Sequence, residues 1–326
     1  MGPEFQLIEA FVDAVGASPR APRGPGDDAA VLPRRAGESC VTVDAVVEGV
    51  HFRRATSRLE DVGHKALAVN LSDLAAMGAR PRWALVALGM PRGFRLSDAR
   101  RLGAGFGALA QITGTALVGG NVSRAPGLSL TVTVGGEVAP GRALLRSGAR
   151  PGDRVWVSGV LGDARLGLAL LERRGGPEAR RLRRFPRLAR TVLERQQRPM
   201  PRVALGPALV GLASSCIDLS DGLVQDSGHL AGESRVAVRL DGGALPVSRA
   251  LAIAYPDGRE QARVAASGGE DYELLFTAPA PRELAVRRLG LQLGVQLTLI
   301  GEVRRGRGVH LRGTGTASLH GFDHLA

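Results

Sequence analysis

The sequence predicts a two-domain α/β protein, and three observations carry that expectation. At 326 residues the chain is long enough to bury two cores. Its apolar segments alternate between β-branched runs of strand length, such as Cys40-Val41-Thr42-Val43-Asp44-Ala45-Val46-Val47, and Ala/Leu-rich helical runs such as Ala66 to Met77. A turn-rich segment, Gly148-Ala149-Arg150-Pro151-Gly152-Asp153, separates two such series, so domains are expected at 1–147 and 148–326.

Composition narrows the function classes. Apolar residues make up 44% of the chain, yet no apolar run approaches the roughly 20 residues of a membrane span, so no membrane association is expected. The N-terminus shows no basic segment followed by an apolar stretch, which gives the expectation of a cytoplasmic protein without a signal peptide. Two cysteines, Cys40 and Cys216, each among strand-like residues, provide neither a disulfide framework nor a zinc site. The net charge of +12 raises nucleic-acid binding, but the sequence argues against it. Lys65 is the sole lysine, the arginines come with heavy Gly, Ala and Pro use, and 4% aromatics leaves little for base stacking. The densest basic stretch, Glu172 to Arg202, carries Leu182, Leu188, Val192 and Leu193 at helical spacing and reads as a solvated helix face.

Along the chain, a helix is expected around Phe5 to Val15, followed by a Pro/Gly-rich loop ending in Gly26-Asp27-Asp28. The strand Ser39 to Val47 carries Asp44 and runs into the turn Glu48-Gly49-Val50-His51-Phe52. Next comes the helix with Asn70 and Asp73 three apart on one face, closed by Gly78. A strand at Trp83 to Leu88 and a helix at Ser97 to Ile112, capped by Ser97 or Asp98, lead to a short strand Ala116-Leu117-Val118 ending in a Gly119-Gly120-Asn121 corner. Leu128 to Val138 is a strand by its alternation. The second half offers the strand Arg154 to Gly159, the helix Ala164 to Arg173 and the strand end Ser215 to Asp218. Asp221 is positioned either to act chemically or to cap the helix Leu223 to Leu230. The cluster Gly268-Gly269-Glu270-Asp271-Tyr272-Glu273 leads into another strand, followed by a helix Pro281 to Leu293 and a strand Leu297 to Ile300.

The acids Asp27, Asp28, Asp44, Asp73, Asp218 and Asp221 stand at strand ends or in an apolar helix, between glycine corners. A buried carboxylate is unfavourable unless paired or holding a cation, and several converging on one cleft call for more than one Mg²⁺. Magnesium held by a few carboxylates completes its shell with water and phosphate oxygens, so nucleotide phosphate is the natural ligand. No Walker-type phosphate loop, protein-kinase motif set or Ser-His-Asp arrangement is present. A kinase without a strong general base suits an acceptor that is itself a phosphate monoester, whose second pKa is about 6.

The ordered set Gly26-Asp27-Asp28-Ala29, Val43-Asp44 through Val47-Glu48-Gly49-Val50-His51-Phe52, Lys65 to Ala79, Asp218-Leu219-Ser220-Asp221-Gly222 and Ser267 to Leu274 resembles the thiamine-monophosphate kinase family in order and spacing. Arg142 to Ala149 and the tail Gly321-Phe322-Asp323-His324 fit as well, so the resemblance spans the whole chain. It implies an aminoimidazole-ribonucleotide-synthetase-like fold of two α/β domains with mixed sheets, and a homodimer whose N-terminal strands form a shared barrel. It implies ATP-dependent phosphorylation of thiamine monophosphate to thiamine diphosphate, with ATP as co-substrate and several Mg²⁺ ions. Carried over by position, Asp28, Thr42, Asp44, Asp73 and Asp218 correspond to Mg²⁺ ligands and Asp221 to a ligand of a further ion. Gly120, Arg146 and Ser220 correspond to nucleotide contacts, and His51, Glu270 and Phe322 to substrate contacts, with Asp73, Arg146 and Asp218 central to the transfer.

Two positions depart from the family pattern. Asn121 stands where the family commonly has Asp, and Val43 where a Thr often precedes the strand Asp. An amide oxygen at Asn121 and a backbone oxygen at Val43 can still coordinate a metal, so both stay in the candidate set and weaker metal binding is the expectation. Two alternatives remain open: another ATP-using member of the superfamily, such as an aminoimidazole-ribonucleotide or selenophosphate synthetase, and a non-catalytic nucleotide sensor.

Overall fold

A computed structural model describes residues 3–16, 36–172 and 176–313. The chain forms two compact units, Met1–Leu74 with Ala79–Gly141, and Ala75–Gly78 with Arg142–Ala326. Asp27, Asp28 and Phe322 lie outside the described residues.

In the first unit, helix α1 (Pro3–Val15) precedes strand β1 (Glu38–Val47), helix α2 (Leu59–Ala76), strand β2 (Arg80–Met90), helix α3 (Leu96–Thr113), strand β3 (Ala116–Arg124) and strand β4 (Ser129–Val138). The four strands order as β1-β4-β2-β3, with β4 antiparallel to both neighbours and β2 parallel to β3. The buried face is built by alternation: Ala84, Val86 and Leu88 of β2 and Leu130, Val132 and Val134 of β4 point inward. The other face leaves Val41 and Val43 of β1 59% and 56% exposed, with Leu85 also open. Leu74 of α2 reaches the sheet at Gly136, where an added Cβ would sit 3.1 Å from its Cδ1. Phe11 of α1 meets Phe106 of α3 with ring centroids 6.0 Å apart. Close approach of α2 and α3 requires glycine, since a Cβ on Gly105 would fall 1.7 Å from the Glu60 carbonyl oxygen.

The second unit carries strands β5 (Arg154–Ser158), β6 (Ser215–Asp218), β7 (Ala237–Asp241), β8 (Leu274–Ala278), β9 (Leu297–Arg304) and β10 (Gly308–Arg312). They order as β10-β7-β9-β5-β8-β6, all antiparallel except the parallel β10·β7 pair. Helices α4 (Asp163–Leu171), α5 (Pro177–Arg183), α6 (Pro186–Gln197), α7 (Leu205–Leu209), α8 (Leu223–Ser234), α9 (Arg249–Ala254), α10 (Gly258–Ser267) and α11 (Glu283–Leu293) complete it. Alternate residues of the sheet feed two cores. Val155, Val157, Ile217 and Leu275 pack with Leu166, Leu182, Val192 and Leu230, whereas Trp156, Cys216 and Phe276 pack with Leu205, Leu209, Val286 and Leu289. Trp156 and Phe276 stack at 6.5 Å, and the Arg287 guanidinium lies 5.2 Å from the Trp156 ring centroid.

The mixed α/β expectation holds, with differences in detail. Strands β7 and β10 were not expected from the sequence, although Val238-Arg239-Leu240-Asp241 and Val309-His310-Leu311-Arg312 each alternate apolar and polar residues, and β9 runs four residues beyond Ile300. The Gly119-Gly120-Asn121 segment is not a corner at a strand end; it lies inside β3, with Gly120 paired to Val86 and Asn121 to Ala87. A Cβ on Gly120 would sit 2.0 Å from the Val86 carbonyl oxygen, so Gly120 permits strand contact there. Helix α3 is capped at Arg95, whose backbone N–H donates to Asp98 at 3.0 Å; neither Ser97 nor Asp98 is the N-cap. Both cysteines are free thiols, and burial pushes the Cys216 thiol far up, so it is inert as a nucleophile. Among the described residues, no helix is long and apolar enough to cross a membrane.

Candidate functional site

In the first unit, the period of β1 places Thr42 and Asp44 on one face and Val43 on the other. Thr42 Oγ1 donates to Asp73 Oδ2 at 2.7 Å. The Asp44 backbone N–H donates to Asn70 Oδ1 at 2.9 Å, and Asn70 Nδ2 donates to the Ala66 carbonyl at 3.0 Å. Every residue of α2 from Asp61 to Ser72 is buried, and Asp73 is the first to regain partial exposure. The helix therefore presents Asp73 on a rigid support beside the exposed Asp44. Asn70, 0% exposed, ties strand β1 to helix α2 and thereby sets Asp44. Thr42 holds Asp73.

His51 sits in the expected turn, closed by bonds from Gly49 N to Phe52 O and from His51 N to Val47 O. Its Nδ1 accepts from the Val47 N–H at 3.1 Å, which fixes the ring plane and leaves Nδ1 without a proton. Glu48 Oε2 accepts from the Leu128 N–H at 3.0 Å and anchors the turn to the start of β4. Asn121 stands apart from this cluster. The lateral row Asn121, Ala87, Thr131, Ala45 crosses the whole sheet, about 14 Å at three strand spacings. That row occupies the face opposite Thr42 and Asp44, so within one chain Asn121 does not meet them.

In the second unit, Asp218 ends β6 as a buried acid, and the following loop is bonded backbone to backbone with the 270–273 loop. Leu219 N donates to Glu273 O, Tyr272 N to Leu219 O, and Glu270 N to Ser220 O, at 2.8 to 2.9 Å. Ser220, Asp221 and Glu270 are thus brought together. Asp221 does not cap α8, whose N-cap is Gly222 at φ +118°. No side chain caps the helix; Asp226 in its first turn accepts from the preceding Asp221 N–H at 3.2 Å and Gly222 N–H at 3.0 Å and ties the turn to the helix. The Asp221 carboxylate accepts from Gln225 at 3.1 Å. Burial, reinforced by the Asp221 charge, pushes the Asp226 carboxyl up to about 7, against the opposing pull of Arg146. Arg146 is exposed, and its carbonyl accepts from Ser234 Oγ at 2.8 Å.

Glu270 and Tyr272 adopt left-handed backbone conformations, φ +66° and +50°, at which a side chain is strained. Two neighbours pin the loop. Asp271 accepts from the Gly162 N–H at 2.7 Å and the Ala164 N–H at 3.3 Å at the start of α4, and burial pushes its carboxyl well above the usual range. Glu273 is bonded by Ser158 Oγ and by both Nε and Nη2 of Arg202. The Glu270 carboxylate itself accepts from Gln196 Nε2 at 3.3 Å.

The sequence reading missed Asp226, His229 and Gln196. Asp221, Asp226 and His229 each bring a potential ligand atom within 4.8 Å of the others. The Asp226/His229 spacing of three on a helix was the legible signal; nothing in the sequence marks Gln196. The oxygen donors Thr42, Asp44 and Asp73 of the first unit fit a hard divalent cation, and so, taken by themselves, do Asp218 and Asp221 of the second.

Residues 26–138 match the family described as AIR synthase related protein, N-terminal domain, and residues 150–313 its C-terminal domain counterpart. The chain is 40% identical over 332 residues to a thiamine-monophosphate kinase of Salmonella typhimurium, covering 99% of this chain and 98% of that one. It is 42% identical to the thiamine-monophosphate kinase of Stenotrophomonas maltophilia K279a, whose crystal structure superposes with a TM-score of 0.85 over 96% of this chain and 98% of that one. A structure of AaThiL complexed with AMPPCP and TMP is 33% identical, with a TM-score of 0.77 over 98% of this chain and 96% of that one. A two-domain α/β chain with these motifs in order, matched end to end at such identity, belongs to the thiamine-monophosphate kinase family.

Proposed function

We propose that this chain transfers the γ-phosphoryl group of ATP to the phosphate of thiamine monophosphate, giving thiamine diphosphate and ADP. The observation that supports this reading most strongly is its full-length similarity to thiamine-monophosphate kinases, including a relative complexed with AMPPCP and TMP. The transfer is direct and in line. An acceptor phosphate oxygen attacks the γ-phosphorus, a new P–O bond forms, and the bond to the β,γ-bridging oxygen breaks with its electron pair leaving on ADP. The acceptor's second pKa of about 6 makes that oxygen anionic at neutral pH, so no strong general base is required.

Thr42, Asp44, Asp73, Asp218 and Asp221, with Asp28, the Val43 carbonyl and the Asn121 amide, would hold several Mg²⁺ ions. Bound there, the ions supply positive charge between phosphate groups that otherwise repel. Thr42 keeps Asp73 aimed, and Asn70 keeps the strand carrying Asp44 against α2. Gly120 and Ser220 contact the nucleotide, and Arg146 stabilises charge on the transferring group. His51, Glu270 and Phe322 contact the acceptor substrate. The exposed Val41 and Val43 favour a homodimer joined through the outer face of the first sheet, as the barrel arrangement requires, and a cytoplasmic location suits the reaction.

The test is an assay of the pure protein with Mg-ATP and thiamine monophosphate, thiamine or purine precursors. The reading expects ADP and thiamine diphosphate with the monophosphate alone. ADP formation with purine precursors in its place, or nucleotide binding without turnover, would overturn it.

A further inference from the structure

We infer that Gln196 is a positioning residue that holds the Glu270 carboxylate in the orientation that meets the acceptor. The inference rests on the reading of Glu270 as a substrate contact. Gln196 occupies the last turn of α6 and is 4% exposed, four residues after the fully buried Val192 on the same face. Helix α4 packs there at Gly167, where a Cβ would lie 2.3 Å from the Val192 carbonyl and 2.7 Å from Gln196 Cβ, so the stretch of α6 that carries Gln196 is held close against α4. Packing alone calls for an apolar residue on such a face; the amide is there to bond, and its Nε2 donates to Glu270 Oε2.

The neighbours of Gln196 sharpen its role. Arg195 pairs with Asp163, which also accepts from Ser248 Oγ at 2.6 Å, and Arg202 pairs with Glu273. Arg195 and Arg202 are thus each committed to an acid other than Glu270, and Gln196 brings Glu270 a neutral donor. A neutral donor orients the carboxylate without cancelling its charge, which suits a carboxylate facing the cationic thiazolium ring of thiamine. The left-handed backbone of Glu270, pinned by Asp271 on one side and by the Ser220 carbonyl on the other, fixes where the side chain starts. Gln196 fixes where it ends.

The experiment is a double-mutant cycle of Gln196→Leu and Glu270→Gln, with Gln196→His as a variant that retains an N–H donor. The KM for thiamine monophosphate, the KM for ATP, kcat and Tm are measured for each. Gln196→Leu is expected to raise the thiamine-monophosphate KM roughly 10-fold while the ATP KM stays within about two-fold. Gln196→His is expected to recover most of the loss, and Gln196→Leu to add little once Glu270→Gln is present. If Glu270→Gln raises that KM and Gln196→Leu does not, or if Gln196→Leu acts equally in both backgrounds, the positioning role is overturned. If Glu270→Gln itself leaves the KM unchanged, the reading of Glu270 as a substrate contact fails, and this inference with it.

Discussion

Thr42 Oγ1 and Asp73 Oδ2 stand 2.7 Å apart, a strand hydroxyl holding a partly exposed acid between the buried Ser72 and Leu74 of α2. Because Asp73 is partly exposed and Asn keeps its size, its charge can be removed without opening the core. Asp73→Asn is expected to lower kcat at least roughly 100-fold, with the melting temperature close to that of the parent. Thr42→Val, which keeps shape and loses the hydroxyl, is expected to lower kcat by roughly 10-fold. Steady-state kinetics at saturating Mg²⁺ checks both.

Asn70 bridges β1 and α2 at complete burial. Replacing it with Leu removes the acceptor of the Asp44 N–H and the donor to the Ala66 carbonyl. The expected loss is about 1–3 kcal/mol for a stranded buried polar group, and denaturant unfolding measures it. Its effect on turnover is expected to exceed that of a similarly destabilising change elsewhere in the core, because Asp44 moves with the strand.

Asn121 offers a neutral amide oxygen where the family pattern implies a carboxylate. Asn121→Asp is expected to reduce the Mg²⁺ concentration needed for half-maximal rate, with little change in the fold, because the residue is exposed on β3. A Mg²⁺ titration of both proteins decides it, and an unchanged requirement would count against a role for this residue in metal binding.

Asp271 should make stability depend on pH. Burial raises its folded pKa above the unfolded value, so the folded state holds the proton more tightly. The associated stabilisation is complete below the unfolded carboxylate range near 4 and is lost as pH rises through the raised folded value. Asp271→Asn cannot titrate. Its stability deficit relative to the parent is therefore expected to be larger at pH 5 than at pH 8, which thermal melts at the two values measure.

Some of the site was legible in the chain because the physics is local. The alternation in Ser39 to Val47 and the helical character of Ala66 to Met77 announced β1 and α2, and period two placed Thr42 and Asp44 on one face. The same reasoning failed for Gly119-Gly120-Asn121, where two glycines suggested a corner. Gly120 instead lets β3 approach the Val86 carbonyl of β2, a contact between segments more than 30 residues apart. At Asp221 the sequence left a chemical role and a capping role open, and the structure removes the second, since the helix N-cap is Gly222 and the Asp221 carboxylate accepts from Gln225.

The sequence by itself determined the class, the order of strands and helices that carry the acids, and the family, since each depends on residue type and spacing along the chain. Only the tertiary structure decided which groups hold which. Thr42 holds Asp73, Arg202 is spent on Glu273, and Gln196 is the neutral donor to Glu270. Those partners lie 31, 71 and 74 residues apart, and their meeting is set by strand register and helix packing, which no local pattern encodes.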